Sequence, residues 1–334
     1  MKKIDIFNHF FPAEFCKRYI TSGLKDIGKR VQNMPTIANL DARFRVMDEF
    51  GPEYSQFLSL PAPTIESLGG PDKSPEIARC ANDGLADLVS RYPDRFIGFC
   101  ASLPMNNPEA AVVEIGRAVD QLGARAVQIF TNVNGRPLDK PEYEQIFAEC
   151  AKRDLTILMH PARGAETTDY ISEERSHYEI WWTFGWPYET SAAMAHLVFS
   201  GIMDKYHKLK IVTHHMGGMI PYFEGRAGYG WDALGTRTSD KDYVSLRQSM
   251  KKRPIDYFRN FYADTALFGG QGATDCGFKF FGEDRCVFAS DVPFEPAPGL
   301  YIRETIRCVN SLDITDDQRA KIYNGNAKRI LGLK

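Results

Sequence analysis

Eight short apolar runs alternate with helical patterns along this chain of 334 residues. Most of the runs are apolar almost throughout, which is typical of parallel strands that are buried on both faces. The predicted strands are 3–9, 55–61, 96–103, 124–130, 154–160, 209–215, 260–264 and 285–291. The predicted helices are 41–50, 75–92, 108–122, 141–152, 188–203, 240–257, 299–310 and 315–331.

This alternation predicts an α/β fold, a (β/α)8 TIM barrel that forms a single domain over residues 1–334. A doubly wound open sheet is the alternative. The barrel is favoured because the first and the eighth runs both end in polar residues, and those two strands are neighbours only in a closed barrel. Two connections are long, 10–40 after the first strand and 161–187 after the fifth, and we expect them to be substrate loops.

The composition indicates a soluble globular protein, with 43% hydrophobic residues, 25% charged residues and a formal net charge of −2. No basic stripe is present, so nucleic acid and anionic membranes are not expected as partners. The apolar runs are far shorter than the ~18–20 residues that span a bilayer, and the N-terminus lacks a signal-peptide core. The seven cysteines are scattered without a CxxC pair. These features predict a cytoplasmic protein with reduced thiols.

Five of the predicted strands end on a histidine or an aspartate: His9, His160, His215, Asp264 and Asp291. The C-terminal tips of parallel strands in one barrel converge on a single pocket. Imidazole and carboxylate groups are ligands of borderline divalent metals and carry acid–base chemistry. We therefore predict an enzyme with a divalent metal ion at the mouth of the barrel, with zinc expected first and manganese as the alternative. His9, His160 and Asp291 are the predicted metal ligands.

Two adjacent histidines, His214 and His215, follow the sixth apolar run. Adjacent residues on a strand point to opposite sides, so both can face one pocket only if the strand has already ended. His215 is favoured as a general acid or base because it stands immediately before the loop. Asp264 either orients a histidine or takes a proton, and a helix-capping or loop carboxylate is the structural alternative.

The long connection 161–187 contains His177 and the tryptophans Trp181, Trp182 and Trp186. Such a cluster of aromatic residues is typical of a pocket for an aromatic substrate. His177 and Trp182 are the predicted substrate contacts. The alternative is that the tryptophans pack a lid or a contact between subunits.

Several segments resemble motifs of the amidohydrolase superfamily, specifically its aminocarboxymuconate-semialdehyde decarboxylase-like branch (amidohydrolase-related, type 2). These segments are IDIFNHFFP (4–12), LMHPA (158–162), the block 197–226 with its histidines before glycines, FYADTALF (261–268), GEDRCVFASDVPF (282–294) and YNGNAKRILGL (323–333). The resemblance spans nearly the whole chain. It implies that His9, His160 and Asp291 bind the metal, and that relatives commonly form dimers, so a homodimer is expected.

The resemblance also implies that His215, and not His214, activates water or protonates the substrate. The arginine that binds the substrate carboxylate in the family has no clear equivalent in this sequence. Arg30 is the candidate, ahead of Arg43 and Arg45.

One position departs from the family pattern, because the first histidine of the family's His-x-His motif falls on Phe7. Phenylalanine cannot bind a metal, and Asn8 should point to the opposite side of the strand. Four outcomes are open at this point. The site keeps three ligands, recruits His215, uses a substrate oxygen, or holds no metal.

The function that the resemblance implies is metal-dependent, non-oxidative decarboxylation of a small aromatic or unsaturated carboxylic acid. This reaction would make the chain a carbon–carbon lyase. The first alternative is a metal-dependent hydrolase or hydratase of a small ester, lactone or dienoic acid, with Asp291 or His215 as the catalytic base. The second alternative, prompted by Phe7, is a non-catalytic binding barrel.

Overall fold

The computed structural model describes residues 1–20, 32–239 and 241–333. Eight parallel strands form one sheet in these residues, in the order β1-β2-β3-β4-β7-β8-β9-β10. The strands are β1 Lys3–His9, β2 Tyr54–Ser59, β3 Phe96–Ser102, β4 Ala126–Phe130, β7 Thr156–His160, β8 Lys210–Thr213, β9 Tyr262–Asp264 and β10 Cys286–Val287. The two short strands β5 Asn132–Val133 and β6 Arg136–Pro137 form an antiparallel hairpin outside this sheet.

The sheet curves until the segment after β10 meets β1. The backbone N–H of Asp291 donates to the carbonyl of Phe7 at 3.0 Å, and the N–H of His9 donates to the carbonyl of Val292 at 2.8 Å. These bonds nearly close the cylinder, so the predicted TIM barrel is confirmed and the open sheet is excluded. The same seam places His9 and Asp291 side by side.

All eight predicted strands are present, but four of them end earlier than predicted, and two of these end before a predicted site residue. β8 stops at Thr213 and β10 stops at Val287, rather than at residues 215 and 291. Beyond these points the chain leaves the extended conformation, and His215 and Asp291 adopt left-handed φ angles of 55° and 61°. Such angles are uncommon for residues other than glycine and tend to cluster at functional sites.

Helices flank the barrel strands. The longer ones are Leu40–Asp48, Ser74–Arg91, Pro108–Leu122, Glu144–Lys152, Gly185–Phe199, Glu224–Asp232, Tyr243–Ser249, Gln271–Phe281 and Leu300–Asn310. Shorter turns of helix are Ala13–Phe15, Cys16–Ile20, Pro35–Ile37, Ile65–Leu68, Pro141–Tyr143, Ile180–Thr183, Ile202–Lys205, Pro254–Phe258, Asp316–Ala320, Lys321–Gly325 and Asn326–Leu331. Within the described part of the chain, no helix has both the length and the apolar character needed to cross a bilayer.

The helix predictions miss Glu224–Asp232 and Gln271–Phe281, and they join two separate helices into one. The predicted helix 240–257 is interrupted, because Tyr243–Ser249 and Pro254–Phe258 are separate. Arg253 precedes a proline and has an extended ψ of 142°. The proline ring disfavours helical geometry at that preceding residue, which explains the break.

The interior of the barrel is filled by one apolar cluster that takes at least one residue from each of the eight strands. The strand members are Ile4, Ile6, Phe7, Phe57, Cys100, Ala126, Leu158, Val212, Tyr262 and Val287. Ile330 and Leu331 of the C-terminal helix join the same cluster. A larger cluster includes residues of both the strands and the surrounding helices. Cys100 and Cys286 are 0% and 1% exposed, as expected for core cysteines.

Candidate metal centre

Four buried side chains converge at the C-terminal end of the barrel. His9, His160, His214 and Asp291 each present one potential ligand atom, and these atoms all lie within 4.8 Å of one another. His9 and His160 are the last residues of β1 and β7, while His214 and Asp291 follow the ends of β8 and β10. The structure therefore brings together the three predicted ligands and adds His214 to them.

Hydrogen bonds fix the tautomers of two of these histidines. The hydroxyl of Ser59 donates to the carbonyl of Asn8 at 2.7 Å, so it accepts a bond from Nδ1 of His9 at 2.9 Å. Nδ1 of His160 donates to the carbonyl of Pro161 at 2.7 Å, since a carbonyl oxygen can only accept. Both rings therefore carry their proton on Nδ1, and the Nε2 lone pair is left to face the cluster.

Asp264 fixes the imidazole ring of His214, the third histidine of the cluster. One carboxylate oxygen of Asp264 bonds Nδ1 of His214, and the other accepts the backbone N–H groups of His215 and Ala266 at 3.0 Å each. Nε2 of His214 lies 3.3 Å from Oδ1 of Asp291, is buried, and has no hydrogen-bond partner among the described residues. A histidine whose second nitrogen is fixed by a carboxylate is a common arrangement behind a metal ligand.

The charges in the cluster favour a cation. Burial lowers the pKa of His9, and burial together with the neighbouring histidines holds the pKa of His160 well below its usual range. Burial opposes ionisation of Asp291, but the charge of His214 and bonds from the surrounding histidines hold the pKa of that carboxyl well below its usual range. Burial also opposes protonation of His214, yet Asp264 and Asp291 raise its pKa to about 10.

The residues present therefore fit a divalent metal. Imidazole nitrogens and one carboxylate are the donors that zinc and similar borderline ions prefer. Nε2 of His214, which has no hydrogen-bond partner among the described residues, and the two Nδ1-protonated rings belong with the Asp291 carboxylate to one group of ligand atoms. An ion would supply the positive charge that otherwise comes from the proton on His214.

His215 lies beside this cluster and is not part of it. Nε2 of His215 lies 3.4 Å from Oδ2 of Asp291, and its Nδ1 is buried without a hydrogen-bond partner. The ring is nearly parallel to the indole of Trp186, with centroids 6.2 Å apart. Burial and the charge of His214 lower the pKa of His215.

Phe7 packs against the histidines. Its ring stacks on the ring of His214 with centroids 4.1 Å apart and an interplanar angle of 25°. The rings of His9 and His160 are 5.6 and 5.8 Å away. Phe7 is fully buried. A side chain at this position therefore faces the cluster directly.

A cavity of about 1330 Å³ opens beside the cluster and is lined by residues of the connection after β7, among them Arg163, His177, Trp181 and Trp186. The indole of Trp186 lines the cavity and lies 5.4 Å from the ring of His160, edge to face, so one side chain stands between the cavity and the cluster. The cavity is large enough for a small aromatic molecule.

Of the predicted substrate contacts, His177 lines the cavity and Trp182 does not. His177 is exposed and lines the cavity. Trp182 is half-buried, its ring lies 6.4 Å from that of Trp186, and its indole N–H donates to Glu179 at 2.8 Å. The lining of the cavity includes Trp181 and Trp186 in place of Trp182. Arg30 lies outside the described residues.

Two residues of this region were missed as candidates in the sequence. The position before the loop favours His215 over His214, although the His-His pair itself is a visible signal for both. Arg163 follows the His-Pro motif, lines the cavity, and has a buried Nε without a partner. Arg163 also pairs with Glu189 at 3.4 Å.

Comparisons with known proteins agree with this architecture. The sequence profile of a family described as Amidohydrolase matches residues 4–333. The gamma-resorcylate decarboxylase of Rhizobium radiobacter is 33% identical over 307 residues, which cover 88% of this chain and 87% of that protein. The 2-amino-3-carboxymuconate-6-semialdehyde decarboxylase of Dictyostelium discoideum is 30% identical over 267 residues, which cover 79% of this chain and 68% of that protein.

A solved structure is similar over nearly the whole chain. It is a dihydroxybenzoic acid decarboxylase from Polaromonas sp. JS666, with bound manganese and the inhibitor 2-nitroresorcinol. The TM-score is 0.80 and the sequence identity is 27%, with coverage of 99% of this chain and 97% of that chain.

Proposed function

This chain belongs to the amidohydrolase family, and from that premise we propose that it catalyses the non-oxidative decarboxylation of a small aromatic acid with a hydroxyl group next to the carboxylate. The observation that carries the proposal is the convergence of His9, His160, His214 and Asp291 beside a cavity bordered by indole rings. The relatives are decarboxylases by name, and two of them act on benzoic or muconic acids. The resemblance drawn from the sequence motifs is confirmed.

The cofactor of this reaction is a divalent metal, and we propose zinc as the ion. Three imidazoles and one carboxylate form a typical zinc donor set. Manganese is the competing ion, because it is bound in the similar dihydroxybenzoic acid decarboxylase. When bound, the ion supplies a fixed positive charge that neutralises the carboxylate and the neighbouring oxygen of the substrate.

His215 is the residue that we propose as the proton donor. Its Nε2 stands at the edge of the cluster and points to the same carboxylate, 3.4 Å from Oδ2 of Asp291. The lowered pKa makes the protonated ring a stronger acid than free imidazolium. The proton goes to the ring carbon that bears the carboxylate. The carbon–carbon bond then breaks, its electron pair returns to the ring, and carbon dioxide leaves.

Asp264 takes a positioning role in this scheme. Its carboxylate already accepts bonds from Nδ1 of His214 and from two backbone N–H groups. These bonds occupy the oxygens that a proton donor would need free. The function of Asp264 is then to fix the His214 ring and the backbone of His215.

Trp186 is a candidate wall for the aromatic ring of the substrate. Its indole lies between the cavity and the rings of His160 and His215. A flat substrate in the cavity can stack against this wall. His177 and Arg163 stand further out in the same cavity and are available for polar groups of the substrate.

The test is release of carbon dioxide from a panel of hydroxybenzoates and muconate semialdehydes by the metal-loaded protein. We expect turnover of at least one ortho-hydroxybenzoate. In deuterated water, the product should carry deuterium at the carbon that lost the carboxylate. If folded, metal-loaded protein releases carbon dioxide from none of these acids, the result contradicts the proposal. Oxygen from labelled water in a product would indicate hydrolysis or hydration.

The homodimer, the single-domain organisation and the cytoplasmic location expected from the sequence stay predictions. Sedimentation velocity of the purified chain tests the first of these. A species with twice the mass of the chain is the expected result, and a monomer at micromolar concentration contradicts it.

A further inference from the structure

Position 7 of this chain cannot supply the ligand that the family motif places there. The phenyl ring has no lone pair for a metal, and it lies against the rings of His9, His160 and His214. It therefore occupies the space that a metal-binding side chain of β1 would use. The predicted ligand set is left with His9, His160 and Asp291.

His214 brings a further donor to the same place. Its Nε2 belongs to the group of ligand atoms that lie within 4.8 Å of one another, and it is buried without a hydrogen-bond partner. The chain can direct this ring inward because β8 ends at Thr213, one residue earlier. No role for His214 follows from the family motif, which assigns the histidine function to His215.

We infer that His214 replaces the metal ligand that Phe7 lacks, so that the centre consists of His9, His160, His214 and Asp291. This inference concerns the metal centre on which the proposed function rests. The number and type of donors are those of the family's His-x-His form, namely three imidazoles and one carboxylate. The third imidazole comes from His214, directly after β8, and not from a histidine at position 7 of β1.

The phenyl ring of Phe7 packs against the imidazole ring of His214. The Phe7 and His214 rings are stacked at 4.1 Å, so the phenyl group supports one face of the imidazole. Asp264 fixes the same imidazole through Nδ1. The ring of His214 is thus held by an apolar contact and by a charged hydrogen bond, both of which direct Nε2 to Asp291.

His215 is less suited to be the replacement ligand. Its ligand atoms fall outside the group formed by the other four residues. Within the described part of the chain, its Nδ1 has no acceptor that would set the tautomer, in contrast to Nδ1 of His9, His160 and His214. His215 is therefore left available for proton transfer.

The experiment measures metal affinity of the full chain after removal of metal with a chelator. Zn²⁺ and Mn²⁺ are titrated in competition with a chromophoric chelator. The proteins are the wild type, His214→Ala, the neighbouring control His215→Ala, and the double variant Phe7→His/His214→Ala. Circular dichroism and thermal melting establish that each protein is folded.

We expect His214→Ala to weaken binding by about 100-fold or more, because losing an outer partner of a ligand already costs 10–100-fold. His215→Ala should cost clearly less than His214→Ala and at most the roughly 10–100-fold typical of an outer partner, since it removes a contact to Asp291 and no metal ligand. The double variant should regain at least about 10-fold over His214→Ala, because it returns an imidazole to β1.

X-ray absorption of the zinc-loaded wild type gives a second measurement that does not depend on any variant. Three imidazole ligands support the inference, and two overturn it. Equal affinity of folded His214→Ala and wild type also overturns it, as does loss of metal from His215→Ala instead. Wild-type protein that binds zinc through His214 but decarboxylates no acid contradicts the proposed function and leaves the ligand assignment intact.

Discussion

At the scale of single residues, the cluster depends on imidazoles that each have one nitrogen committed to a hydrogen bond. Ser59, Pro161 and Asp264 are the three partners. Each partner accepts at Nδ1, so Nε2 is the nitrogen that faces the pocket. Two neutral acceptors and one carboxylate therefore set the orientation of the whole donor set.

Replacing Asp264 tests this orienting role. Asp264→Asn keeps the size of the side chain but removes the charge that fixes Nδ1 of His214. We expect metal affinity to fall about 10–100-fold, as for other carboxylates behind a metal-bound histidine. The matched control is Asp139→Asn, which removes the carboxylate that pairs with the half-exposed His196. Equal metal affinity of the two variants would contradict the role of Asp264.

Replacing His215 separates proton transfer from metal binding. His215→Asn should retain the metal and lower kcat for decarboxylation by about 10²–10⁴-fold, the usual contribution of a general acid. His207→Asn, at an exposed histidine, is the control and should match the wild type. Metal content and carbon dioxide release, measured on the same samples, show whether the variant loses proton transfer or metal binding. A His215→Asn protein with wild-type turnover excludes this proton donor.

At the scale of elements, the loop after β8 depends on close contact with the helix Gly185–Phe199. Gly218 has a left-handed φ of +62°, and a Cβ atom at that position would lie 2.4 Å from the carbonyl oxygen of Pro187. The backbone N–H of Met219 donates to Ser191 at 2.8 Å in the same contact. This contact positions Trp186, at the start of the helix, relative to the loop that carries His215.

Gly218→Ala should therefore destabilise the protein by about 2 kcal/mol or more, because both the φ angle and the carbonyl oppose a methyl group. The control is Gly225→Ala, where no atom of the described residues outside the adjoining helix backbone lies within 4 Å of the added Cβ and φ is not left-handed. That change in a helix should be neutral or stabilising by about 1 kcal/mol at most. Urea denaturation of both variants measures the difference, and equal free energies of unfolding would contradict the contact.

The elements were largely predictable from the sequence, but the ends of the elements were not. Apolar runs identify buried parallel strands because hydrophobic burial decides where such strands form. The point where β8 ends depends on the left-handed turn at His215, which follows from contacts made by distant parts of the chain. Period-two alternation allows only one of the two adjacent histidines to face a pocket within a strand, so the sequence could not predict that His214 faces the cluster while His215 lies beside it.

The substrate loop was predictable only in outline. The sequence places three tryptophans after β7, and the structure turns Trp181 and Trp186 to the cavity while Trp182 bonds Glu179. Which face of such a short helix meets the cavity depends on how the loop packs, and periodicity over four residues cannot decide it. The loss of a metal ligand at position 7 was predictable, in contrast to the orientation of the tryptophans, because Phe7 stands at the place of the family's histidine in the sequence.

At the scale of the whole molecule, a buried polar network crosses the seam where the barrel closes. Asp5 of β1 accepts the hydroxyl of Tyr54 at 2.7 Å and the backbone N–H of Ser290 at 3.1 Å, together with the Ser290 hydroxyl. Arg43, fully buried behind the same strand, donates to the carbonyl of His9 and interacts with Asp5 through its charge. The network therefore connects β1 with β2 and with the segment that carries Asp291.

This seam makes stability depend on pH. Burial raises the pKa of Asp5 to about 6, although bonds from Ser290 and Tyr54 oppose the shift. A carboxyl with a raised pKa in the folded state stabilises the fold fully at low pH, and that contribution is lost as pH rises through about 6. The wild type should therefore lose about 3 kcal/mol relative to Asp5→Asn between pH 4 and pH 7.

Denaturation of both proteins across that pH range measures the effect. Asparagine retains an acceptor for the Ser290 N–H and cannot ionise, so it isolates the charge of Asp5. Arg43 and Tyr54 face Asp5 and are present in both proteins. A difference in unfolding free energy that does not change with pH would show that Asp5 does not titrate in this window.

The most direct test of a metal-dependent active centre is anomalous X-ray scattering from crystals of the metal-loaded protein, collected on both sides of the zinc and manganese absorption edges. The account predicts one strong peak in contact with Nε2 of His9, Nε2 of His160 and the carboxylate of Asp291, at the edge of the ion that supports decarboxylation. No peak at that point, in protein that decarboxylates at full rate after treatment with a chelator, would contradict it.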